Sequence, residues 1–157
     1  MTRARLVALS ALALLGSWSA GARNVGQMMA VAPGLAAARA SGETGDVEFS
    51  FGTAASRGAE VVGGAVSVQG TGSHLVEPHG VRTTDDQACE LALRDALKRL
   101  ADAATRAGGR AVVGIVSTYN GANIDDPARV ECRLGQAKMV VALTGVIARG
   151  MPPAAPE

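Results

Sequence analysis

The chain has 157 residues, 15 Lys+Arg against 14 Asp+Glu, and is 48% apolar, which allows one core and excludes intrinsic disorder. A net charge of +1 and only four aromatic residues leave no basic face and no stacking platform for nucleic acid. Composition therefore points to a single small domain without naming an activity.

Met1 to Ala22 reads as a secretory signal peptide. Arg3 and Arg5 make a basic start, Leu6 to Leu15 an apolar core, and Ala20-Gly21-Ala22 an A-x-A cleavage site. The apolar run is shorter than the roughly 20 residues of a spanning helix. Cleavage near Ala22 would release a chain of formal charge −1 into the periplasm or the medium, with no membrane insertion afterwards. No Cys stands at the cut to carry a lipid.

Residues 23–45 are Ala- and Gly-rich, with Met28, Met29, Val31 and Leu35 as the larger apolar side chains. A short helix there would be ended or kinked by Pro33. In residues 46–52, Val47, Phe49 and Phe51 alternate with Glu48 and Ser50, the period of a half-buried strand. Val61, Val62, Val66 and Val68 mark another strand, loosened by a bulge at Gly63-Gly64. Residues 70–82 read as a Gly-rich loop.

Residues 85–107 form the best-specified element. Thr84 and Gln87 match a capping box, and Asp85 and Asp86 suit the positive end of the helix dipole. Cys89, Leu93, Ala96, Leu97, Leu100, Ala104 and Ala107 recur on one face, and Gly108-Gly109 supplies a left-handed C-cap. Glu90/Arg94, Asp95/Arg99 and Asp102/Arg106 stand four apart as exposed ion pairs. Leu91 points almost opposite Leu93; a neighbouring loop covers it, or it meets a partner.

Residues 110–119 carry Val112, Val113, Ile115 and Val116, a buried β-branched strand. Residues 120–135 read as a polar loop in which Asp125-Asp126 precede Pro127, a turn in the plain reading and a cation site in the sharper one. Residues 136–148 form a last strand, and 150–157 a disordered Pro/Ala-rich tail. The expected fold of residues 46–149 is α+β, one long helix packed on a small mixed or antiparallel sheet.

Cys89 and Cys132 are an even pair in a chain marked for export, which favours a disulfide. Geometry agrees. The helix from Cys89 covers about 27 Å at 1.5 Å per residue, and the strand after Gly109 recovers about the same length by Tyr119. Cys132 then falls beside the start of the helix. No C-x-x-C is present, so a structural staple outweighs redox or metal chemistry.

His74, Glu77 and His79 place two imidazoles and a carboxylate in one loop. They are either solvated loop residues or, with further ligands, a metal or small-ligand site. No Walker motif and no G-x-S-x-G elbow occurs, and Gly70-Thr71-Gly72 lacks the rest of a dinucleotide loop. No catalytic set and no cofactor is expected.

Several stretches together resemble a known group. Cys89-Glu-Leu-Ala-Leu-Arg-Asp-Ala-Leu97, the run from Ala107 to Tyr119, Glu131-Cys-Arg-Leu-Gly135, Val141-Ala-Leu-Thr-Gly145 and Val47-Glu-Phe-Ser-Phe-Gly52 resemble small exported proteobacterial proteins often labelled "excinuclease ATPase subunit". That label does not describe this chain, which has no Walker motif and no zinc-finger cysteines. More distantly, the order Cys, helix, Gly-Gly, strand, loop, Cys, strand is similar to the Rcs stress-sensor lipoprotein and the YbjQ-type fold. The resemblance implies a non-enzymatic periplasmic module that binds an envelope protein partner, with a bridge placed like Cys89–Cys132. It also implies self-association through a sheet edge, for which residues 139–147 are the expected strand.

Overall fold

The long helix organises the molecule. In the computed structural model, which describes residues 26–74, 82–119, 121–135 and 138–152, helix α2 spans Asp85–Arg106. The side chain of Thr84 accepts the Gln87 N–H, and the Gln87 side chain accepts the Thr84 N–H, so the capping box is complete. At the other end, Gly109 N–H reaches Ala104 C=O and Gly108 N–H reaches Thr105 C=O. This double closure needs a left-handed residue, and Gly108 supplies it at φ 73°.

Beneath α2 lies a seven-stranded mixed sheet. In chain order its strands are β1 Gly26–Ala30, β2 Glu48–Phe51, β3 Val61–Gly72, β4 Ala111–Tyr119, β5 Ala122–Ile124, β6 Arg129–Leu134 and β7 Met139–Ala148. Among the described residues only β2 and β4 run parallel. Strand β7 pairs along one side with β3, and along the other with β4 and then β6. Leu93, Leu97 and Leu100 of α2 are buried against Val112, Ile115, Val141 and Leu143 of the sheet. The fold is α+β, one long helix on a mixed sheet, with a second helix α1 at Val31–Ala40 packed beside it.

Several expectations change. Pro33 neither ends nor kinks α1, because it sits at the third helical position, where its missing N–H would have had no partner within the helix. Residues 70–72 are strand rather than loop. A Cβ on Gly70 would stand 2.0 Å from Ala92 C=O, and one on Gly72 1.8 Å from Ala88 C=O. Those glycines mark close approach of strand and helix, not a turn. The 120–135 segment holds β5 and β6, since Val130 and Cys132 turn inward between Arg129, Glu131 and Arg133.

Residues 139–147 are no edge, because β7 is paired on both sides; β3, by contrast, pairs only with β7 among the described residues. Of the expected ion pairs only Asp95–Arg99 forms, while Arg94 turns to Glu43 and Asp102 to Lys98. Ala107, expected on the apolar face, is exposed at the helix end.

Candidate functional site

Cys89, in the second turn of α2, and Cys132, on β6, form a disulfide with a Cα–Cα distance of 5.8 Å. Both residues are fully buried. Gln27 of β1 donates to the Cys89 sulfur at 3.3 Å and to the Asp86 carboxylate at 3.1 Å. One crosslink and one amide thus tie β1, β6 and the start of α2 into a rigid corner.

Leu91 stands two residues beyond Cys89 on α2. It is half-buried and lines a shallow depression of about 320 Å³ with Thr83, Gln87 and Glu90. A second depression of about 320 Å³ is bounded by Met28, Met29, Ala30, Pro33, Asp86 and Glu90. Glu90 is the wall between them. Because Arg94 is drawn to Glu43, Glu90 makes no ion pair among the described residues. Met28 is 40% exposed. The result is a mixed surface in which Met28, Met29, Pro33 and Leu91 stand beside the carboxylates of Asp86 and Glu90.

The phase break at Leu91 is readable in the sequence; the contribution of Met28 and Met29 is not. Residues 23–45 lack the polar contrast that would show which side of β1 faces outward. In β1 the polar Gln27 is half-buried and the apolar Met28 exposed, so the residue types carry no alternation that would have marked the strand.

His74 lies beside α2, its Nε2 2.8 Å from an Asp85 carboxylate oxygen. Glu77 and His79 lie outside the described residues. Among the described residues no group of three or more His, Cys, Asp or Glu is arranged to hold a metal ion. Asp125 and Asp126 face protein donors. Asp125 accepts from the Thr53 N–H at 2.8 Å and from the Thr53 hydroxyl. Asp126 accepts from the Ala128 and Arg129 N–H groups and from the Arg129 side chain. These bonds hold both carboxyls below the ordinary aspartate value, through Thr53 for Asp125 and chiefly the Ala128 N–H for Asp126.

A cation–π contact also belongs to this end of the sheet. The Arg133 guanidinium stands 4.3 Å from the Tyr119 ring centroid and 2.7 Å from Glu131. No helix among the described residues is long and apolar enough to cross a membrane. The disulfide is consistent with an oxidising compartment. No protein-family model, curated protein or solved structure matches the chain.

Proposed function

We propose that this is a small, exported, non-catalytic protein of the bacterial periplasm that binds a protein partner in envelope maintenance or stress response. The observation that carries the reading is the surface around Leu91. It combines Met28, Pro33 and Leu91 with the carboxylates of Asp86 and Glu90 on a corner stapled by Cys89–Cys132. A rigid corner with adaptable methionines lowers the ordering cost of binding. Its chemistry suits a partner segment that offers an apolar anchor flanked by Lys or Arg. Two sequence features support the setting: the export signal read in residues 1–22, and the resemblance to small exported proteobacterial proteins.

A photo-crosslinking amino acid at Leu91 tests this in the native envelope. A discrete adduct is expected, absent when the same probe stands at exposed Thr105 and lost when Glu90→Arg is added. An identical adduct pattern from both positions, or no adduct from Leu91, would overturn the reading.

A further inference from the structure

Among the described residues β3 pairs on one side only, as do the shorter β1, β2 and β5, and it is the longest strand left open, on a surface apart from Leu91. Its twelve residues, Val61–Gly72, include no charge and no proline. Edge strands of soluble monomers are ordinarily blunted by such residues. A groove of about 630 Å³ runs along this edge, between residues 66–71 of β3 and Arg99, Asp102, Ala103 and Arg106 of α2.

We propose that a second copy of this chain pairs here, β3 against β3 in antiparallel, with the two-fold axis at Ser67. Three independent features place the axis there.

The first is the pattern of open hydrogen-bonding groups. Arg110 N–H bonds Ala148 C=O on the β4 side, and Arg149 N–H bonds Glu60 C=O on the β3 side. Alternation along β7 then turns Ile147, Gly145 and Leu143 towards β3, where they meet Gly64, Val66 and Val68. The main-chain groups of Ala65, Ser67 and Gln69 therefore point outward. Beyond them, the Thr71 N–H is taken by Asp95 at 2.9 Å, and the ladder slips between Val61 and Gly64. The open run is thus bounded at both ends and centred on Ser67. Antiparallel pairing about that residue sets Ser67 against its own copy and Ala65 against Gln69 of the other chain.

The second feature is charge. Gly72 lies over Ala88 and Ala92, and Gly70 over Ala92 and Ala96, so Ser67 falls alongside the helix midway between Arg99 and Asp102. The stripe beside the edge reads Asp95, Arg99, Asp102, Arg106. A two-fold axis at that level places Arg99 opposite the other copy's Asp102, and Asp95 opposite the other copy's Arg106. The stripe is its own electrostatic complement.

The third lies on the face of the sheet away from α2. The Ser67 hydroxyl bonds Thr144 at 2.7 Å, and Thr144 lies 3.3 Å from the Thr118 hydroxyl. Pairing Ser67 with itself joins two such hydroxyl rows end to end.

Sedimentation of the purified, oxidised full chain is expected to give twice the chain mass. Ser67→Pro removes an outward N–H and the hydroxyl bond to Thr144 but no main-chain bond to β7, so it should return the protein to the monomer and leave the β3–β7 ladder intact. Arg99→Asp should weaken the dimer by about tenfold or more, and Arg99→Asp with Asp102→Arg should restore most of it. Should Ser67→Pro fail to fold, Ser67→Cys decides the register. Facing residues in such a pair stand about 5.5 Å apart between Cα atoms, within disulfide reach. Oxidation should join Ser67→Cys chains to each other but not Val61→Cys chains. A chain that sediments at its own mass, a dimer indifferent to Ser67→Pro, or equal crosslinking at both positions overturns the proposal.

Discussion

Asp125 shows how much one side chain can hold. It closes a contact across 72 positions, accepting both the N–H and the hydroxyl of Thr53 at the start of the short 3-10 turn Thr53–Ser56. A carboxylate receiving two donors prefers its charged form, so its folded pKa is lowered. The sign follows from linkage. The contribution is fully present above the unfolded value of about 3.9 and is lost as pH falls through the lower folded value. Carbon-detected NMR titration should find Asp125 protonating below the ordinary aspartate range, and Asp125→Asn should remove that part of the acid response. Titration at or above the ordinary value would break the argument. The sequence-level reading of Asp125 and Asp126 as a turn before Pro127 identified Asp126 well, since its partners are two and three residues away. The role of Asp125 was out of reach, because its partner lies in a distant segment that carries no pairing signal.

Elements were legible where a single periodicity dominated. Helix α2 has a capping box, one apolar face and a glycine stop, and each appears in the structure. Strand β2 follows its two-residue alternation, and the slip at Gly63-Gly64 appears as a register shift. The end of β3 and strand β6 were hidden by competing signals. Gly70 and Gly72 carry the composition of a loop, yet they are required because α2 crosses the strand at backbone distance. In β6, Arg129, Glu131 and Arg133 outweigh Val130 and Cys132 in composition, although their alternation is that of a strand. The surface around Leu91 was half legible for a related reason, since the helix showed the outlier but nothing marked β1 as lining the depression on the other side of Glu90. Gly72→Ala tests the close approach. The new methyl must push β3 away from α2, and overpacking of this kind costs about 1–3 kcal/mol. Gly150→Ala, which has nothing within 4 Å of its Cβ, serves as the control. Urea midpoints should fall clearly for Gly72→Ala and hardly at all for the control; equal midpoints would show that the strand relaxes without cost.

For the whole molecule, the Cys89–Cys132 bridge sets how the layers stay together. It closes a span of 43 residues that contains the rest of α2, all of β4 and β5, and the first half of β6. Cutting a loop of that length from the unfolded ensemble stabilises the fold by about 4 kcal/mol in the chain-entropy model. The bridge joins the one long helix to β6, the strand next to the edge strand β1, so its loss loosens the corner where β1, β6 and the start of α2 meet. Both sulfurs are fully buried, and neither replacement by serine gains solvent. Cys89→Ser and Cys132→Ser should therefore cost nearly the same, roughly 2–4 kcal/mol each, and the double variant little more than either single. Denaturant unfolding of the three variants measures this directly. Additive losses in the double variant would mean that each cysteine acts through its own packing rather than through the crosslink. A large loss from one variant with none from the other would make one sulfur, not the bridge, the structural element.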